Sequence, residues 1–270
     1  MALIIPTGSA SYTGKIRALE KNIRDNAVGK IVLASLKKDV KVKPINEYYD
    51  PFKKQKEAIS SCRAPTLPDD GEAASAKLKS PKDPGYDPQR DQYYKGELSN
   101  EDDMNDRRSE VYEKRTPPGT GSTSTIYFSS GEPTACSGGK AWNDPEVILF
   151  HELVHAVRNS QGLRRNVPTR KADWSNEEEF LAITVANVYL SARDKKNASL
   201  RHGHGDNALW PGINTSEGFV EKCDHFDVLK HHADWEVFKA LAEAKGIIFN
   251  PFAEFKRRAN QTKPKACVRD

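Results

Sequence analysis

The chain has 270 residues, of which 30% are charged and 37% hydrophobic, with a net charge of +4. That is enough for one large domain with its own core, and no apolar run approaches the roughly 20 residues that a bilayer span requires. Lys and Arg are interleaved with Asp and Glu, so the concentrated basic face that grips nucleic acid is missing.

The opening MALIIPTGSASYTGK carries a short apolar patch with no basic residue before it, and it does not read as a Sec signal peptide. Residues 13–28 place Ile16, Leu19 and Ile23 on one helical face, with Gly29 positioned to end the helix. KIVLAS and DVKVKPI then read as strands, Val40 and Val42 alternating with charged neighbours. From 64 to 120 the composition turns to Pro, Gly, Asp and Lys with few aliphatics. Such a stretch buries little surface, so it is expected to be an irregular, mobile insert that trypsin nicks first.

STIYFSS (124–130) reads as a β-branched and aromatic strand, followed by the loop GEPTACSGGKAWN. A helix should begin with Asp144 as N-cap and Pro145 at its first position, and end at Gly162. SNEEEFLAITVANVYLSAR is the next helix. One or two amphipathic helices follow, with Phe238, Leu241 and Ala242 on a shared face and Gly246 as the stop. The expected fold is a single α+β domain over 1–270, with a metal-site core over 121–205. Cys62, Cys136, Cys223 and Cys267 form no CxxC pair. One or two disulfides would fit, but four buried thiols are the expectation, since a chain of this size does not need bridges.

Within the second of these helices, FHELVHAVRNSQG sets His151 and His155 four apart, one above the other on one helical face. Both imidazoles can therefore converge on one ion. Glu152 lies about 100° further round, beside the ion without binding it, which is the place of a general base. HExxH alone is only moderately specific. Leu149, Phe150, Leu153, Val154 and Val157 flank it, however, and bury the helix, and buried imidazoles need partners.

A third ligand is expected from Glu177, Glu178 and Glu179. If Ser175 is the N-cap, Glu178 occupies the third helical position and closes a capping box on its own helix. Glu177 then points to solvent. Glu179, followed at i+3 by the small Ala182, faces the histidine helix and is the third ligand, with Glu178 in reserve. No histidine lies between 156 and 201, which excludes the arrangement in which a third histidine follows at short spacing. Two imidazoles, a carboxylate and an open position suit Zn2+. Arg201, His202, His204 and Tyr189 are candidates to stabilise an oxyanion, although a polar loop with solvated histidines is the better account of any single one of the first three and Tyr189 reads as core. His231 and His232 are expected at the surface.

The segments TGSTSTIYFSS, DPEVILFHELVHAVRNSQG and EEFLAI together resemble the secreted bacterial effector metallopeptidases, gluzincin-type zinc proteases distantly similar to clostridial neurotoxin light chains. The resemblance spans residues 119–205, and HELVHA is its specific part. It implies a zincin-like fold, Zn2+ on His151, His155 and Glu179, catalysis by Glu152, and an extended protein or peptide as substrate. It also implies delivery into a target cell by a specialised secretion system, with no membrane or nucleic-acid partner. STIYFSS would be the edge strand on which substrate lies. The competing reading is a binding module whose zinc is purely structural and closed by a fourth protein ligand. The oligomeric state is not set by the sequence.

Overall fold

The computed structural model describes residues 3–4, 10–44, 47–50, 55–58, 66–74, 118–128, 144–164, 176–202, 208–261 and 267. It is a mixed α+β structure. Helices α1 (Ala10–Asp25) and α2 (Ala27–Ala34) follow a two-residue first strand. A four-stranded sheet runs β1 (Leu3–Ile4), β2 (Val40–Lys43), β6 (Ser124–Tyr127) and β5 (Thr66–Pro68) across its width. The first three are parallel and β5 is antiparallel to β6. A separate hairpin pairs β3 (Glu47–Asp50) with β4 (Gln55–Ala58), and a short α3 (Gly71–Ala74) follows β5. The second half is helical: α4 (Pro145–Ser160), α5 (Glu177–Asp194), α6 (Ser216–Glu221), α7 (Cys223–His231), α8 (Glu236–Glu243) and α9 (Pro251–Ala259).

Everything that positions the site touches α4. It contacts α1, α2, α5 and strands β5 and β6. Its start matches the sequence reading, because Asp144 accepts from the Glu146 amide and Pro145 holds the first position. Its end does too, since Gly162 adopts a left-handed φ of 68° that favours glycine. Leu149, Phe150, Leu153, Val154 and Val157 are fully buried. Helix α5 packs antiparallel to it. Tyr189 near the end of α5 stacks on Phe150 with ring centroids 4.1 Å apart and donates its hydroxyl to Glu146 at the start of α4. Among the described residues no helix is long and apolar enough to cross a membrane.

The structure corrects several expectations. KIVLAS is helical, the greater part of α2, because Asn26 accepts from the Val28 and Gly29 amides and caps a helix there. A short fully apolar run does not tell strand from buried helix, and the cap decides it. Gly29 therefore sits inside α2 rather than ending α1. The STIYFSS strand, β6, is interior, with β2 on one side and β5 on the other, so among the described residues the edge beside α4 is β5. Of the insert expected over 64–120, residues 66–74 are part of this sheet and of α3, and Asp69 accepts hydrogen bonds from Thr123 and Thr125. The remainder up to 117 lies outside the described residues, as do Cys62 and Cys136. Cys223 and Cys267 form a disulfide across 44 residues instead of remaining thiols. On chain entropy alone, closing that loop disfavours the unfolded state by about 4 kcal/mol.

Gly29 makes the α1–α2 corner testable. A Cβ there would lie 1.9 Å from the Ile23 carbonyl oxygen, which is backbone and cannot swing aside. Gly→Ala inside a helix ordinarily stabilises by up to about 1 kcal/mol. Here Gly29→Ala is expected to destabilise by about 1–3 kcal/mol through overpacking, and chemical denaturation gives the sign directly.

Candidate metal centre

The two histidines of α4 point the same way, as a four-residue spacing requires. His151 Nε2 and His155 Nε2 are 3.2 Å apart. Glu179 of α5 brings one carboxylate oxygen, Oε2, to 3.3 Å from the first and 3.4 Å from the second. The three atoms form a nearly equilateral triangle, and this group could hold a metal ion. Burial is graded: the His151 side chain is 7% exposed, His155 15% and Glu179 21%. The centre thus has a dry back and a side that solvent reaches.

Burial opposes charge on both imidazoles. For His151 it prevails and holds the group near 3, with the neighbouring His155 and the Arg201 guanidinium adding to the effect. For His155 the Glu179 carboxylate outweighs burial and raises the group to about 9.

Glu152 stands just outside the triangle. Its Oε1 is 4.0 Å from His151 Nε2, while its Oε2 accepts a hydrogen bond of 2.6 Å from Thr66 of β5. The carboxylate is near the three donor atoms but is not one of them, as expected for a group that follows a ligand by one residue on a helix.

The three glutamates of α5 depart from the sequence reading. The N-cap is Asn176, whose side chain accepts from the Glu179 amide, not Ser175, which lies outside the described residues. This moves Glu179 to the third helical position. Glu178 is engaged by the neighbouring helix. Its two oxygens take the Nε–H of Arg158 at 2.9 and 2.6 Å, in a pair whose side chains are 1% and 4% exposed. Glu177 does not face solvent either. It is 1% exposed, with His232 Nε2 3.1 Å and His231 Nδ1 3.7 Å from its two oxygens. His232 is therefore buried, not at the surface. Successive residues are turned by about 100°, so three adjacent acids reach three different partners.

The remaining candidates separate clearly. Arg201 and His202 are buried rather than solvated. Asn187 of α5 grips the Arg201 backbone, accepting from its amide at 2.8 Å and donating to its carbonyl at 2.9 Å. Arg201 is the cation whose field reaches His151. His202 stacks on Trp210. Tyr189 is core, as expected, and its hydroxyl is engaged at the far end of α4 by Glu146, burial and that carboxylate together raising its pKa. His204 lies outside the described residues. Sequence reasoning missed Arg158, Thr66 and Asn187. Arg158 did leave a signal, since an arginine on an otherwise apolar helix must find a carboxylate. Thr66 left none, being 86 residues from its partner.

The three acids can be told apart experimentally. Glu179→Ala is expected to abolish metal binding with little effect on unfolding of the metal-free protein. Glu178→Ala strands the Arg158 charge in the interior and should cost about 3–5 kcal/mol, well above the roughly 1 kcal/mol of a lost cap. Glu177→Ala should cost about 1–3 kcal/mol by leaving a buried imidazole unsatisfied. Denaturation curves and metal content for the three variants decide each assignment.

No protein-family model, curated protein or solved structure matches the chain. The likeness to effector metallopeptidases therefore rests on the HELVHA block and its flanks, and the chemistry of the centre rests on its own geometry.

Proposed function

We propose that this chain is a zinc-dependent endopeptidase, a secreted effector or toxin that cuts a protein of its target cell. The observation that carries the reading is the triangle of His151 Nε2, His155 Nε2 and Glu179 Oε2, with the Glu152 carboxylate beside it. Four-coordinate zinc with ligands at 2.0–2.1 Å sets its donors about 3.3–3.4 Å apart, and the three sides measure 3.2, 3.3 and 3.4 Å. A purely structural site would be closed by a fourth protein ligand. Among the described residues, three donors converge.

When bound, zinc would supply Lewis acidity and make water a stronger acid. The chain's own groups do the rest. Glu152, tethered through one oxygen by Thr66, accepts the proton of the attacking water and returns it to the leaving amine. Arg201, held by Asn187 and electrostatically coupled to His151, offers positive charge to the developing oxyanion. Among the described residues β5 is the last strand on its side of the sheet and lies against α4. An extended substrate would add to β5, so β5 takes the role expected of β6. The Cys223–Cys267 bridge fits a chain that acquires its fold in an oxidising compartment, outside a reducing cytosol.

One zinc per chain is expected by elemental analysis, falling to none in His151→Ala or His155→Ala. Glu152→Gln should retain the zinc and the fold and lose at least about 10²–10⁴ in rate, because an amide cannot take the proton. N-terminal profiling of target-cell lysate treated with wild type or Glu152→Gln identifies the substrate. Indistinguishable profiles would sink the peptidase reading.

A further inference from the structure

We infer that Thr66 is the positioning residue of the general base, an inference that rests on the peptidase reading of Glu152. Thr66 pairs with Ile126 across the β5–β6 ladder, and Ile126 pairs with Val42. Residues opposite one another in a sheet project from the same face. Val42 and Ile126 are fully buried, and Ser124 on the same face accepts from Asn159 of α4. The Thr66 hydroxyl is thereby aimed at α4.

A hydroxyl has one proton to give. The Glu152 side-chain Oε2 is 2.6 Å from Thr66 Oγ1 and the Glu152 carbonyl 3.2 Å, so the proton goes chiefly to the carboxylate. A threonine side chain is stiff at χ1, whereas a glutamate has three torsions to fix. The strand therefore holds one carboxylate oxygen and sets the other, Oε1, 4.0 Å from His151 Nε2. The same strand carries the edge to which an extended substrate would add. Base and substrate are thus registered on one element, and a shift in one shifts the other.

The test compares Thr66→Val, which keeps the shape and loses the hydroxyl, with Thr66→Ser, which keeps the hydroxyl. Thr66→Ala serves should valine disturb the strand. With zinc content at one per chain, Thr66→Val should lower kcat about 10–100-fold, the usual effect of removing a group that orients a catalytic residue. KM should stay within about twofold, and Thr66→Ser should recover most of kcat.

A second readout needs no activity: a double-mutant cycle of Thr66→Val and Glu152→Ala on the unfolding midpoint should be non-additive. Wild-type kcat in Thr66→Val, equal impairment in Thr66→Ser, or an additive cycle in an active protein overturns the positioning role alone. A wild-type chain that cuts nothing, with a coupled cycle, defeats the peptidase reading and takes the positioning role with it.

Discussion

Arg158 carries a charge into the interior, where only 1% of the residue reaches solvent, and a buried guanidinium must be compensated. Its Nε–H goes to Glu178, its Nη2 to the Leu163 carbonyl, and its Cζ lies over the Trp235 ring, 5.0 Å from the centroid. Arg158 is seven residues beyond His151 and three beyond His155, on the same helical stripe. Glu178 precedes Glu179. The ion pair therefore sets the rotation and register of α5 against α4 at the point where the third ligand must meet the two histidines. A helix rolled by one residue would offer a different acid to each partner.

Three consecutive carboxylates at one helix start are an expensive arrangement to desolvate. The positive end of the α5 dipole favours them, and each has a partner of its own: His232 for Glu177, Arg158 for Glu178 and the histidine pair for Glu179. Two of the three serve stability and one serves the centre. Glu179, beside the histidine pair, is the most exposed of the three at 21%, against 1% and 4% for Glu177 and Glu178.

The site is assembled from segments distant in sequence. Thr66 comes from the sheet edge, His151, Glu152 and His155 from α4, Glu179 from α5, and Arg201 from the segment pinned by Asn187. Cys223–Cys267 links the start of α7 to the residue 44 positions on, beyond α9, and so fastens the chain after the last helix to the helical half.

What the sequence by itself determined is what depends on short-range geometry. The spacing of His151 and His155, the place of Glu152 one residue on, the Asp144–Pro145 start and the glycine at 162 follow from helix periodicity and backbone preference, which operate within a few residues. Glu179 was legible too, but for an incomplete reason. Ser175 and Asn176 are both good caps, and a shift of one residue turns every following side chain by about 100°, so the role of Glu178 could not be read locally. Only the tertiary structure decided that KIVLAS is helical, that β5 rather than β6 is the edge, that Glu177 and His232 are buried together, and that Thr66 holds Glu152. Those outcomes depend on which elements meet across separations of 55 and 86 residues for the last two pairs. Such meetings are set by the packing of the whole core, and no local pattern encodes them.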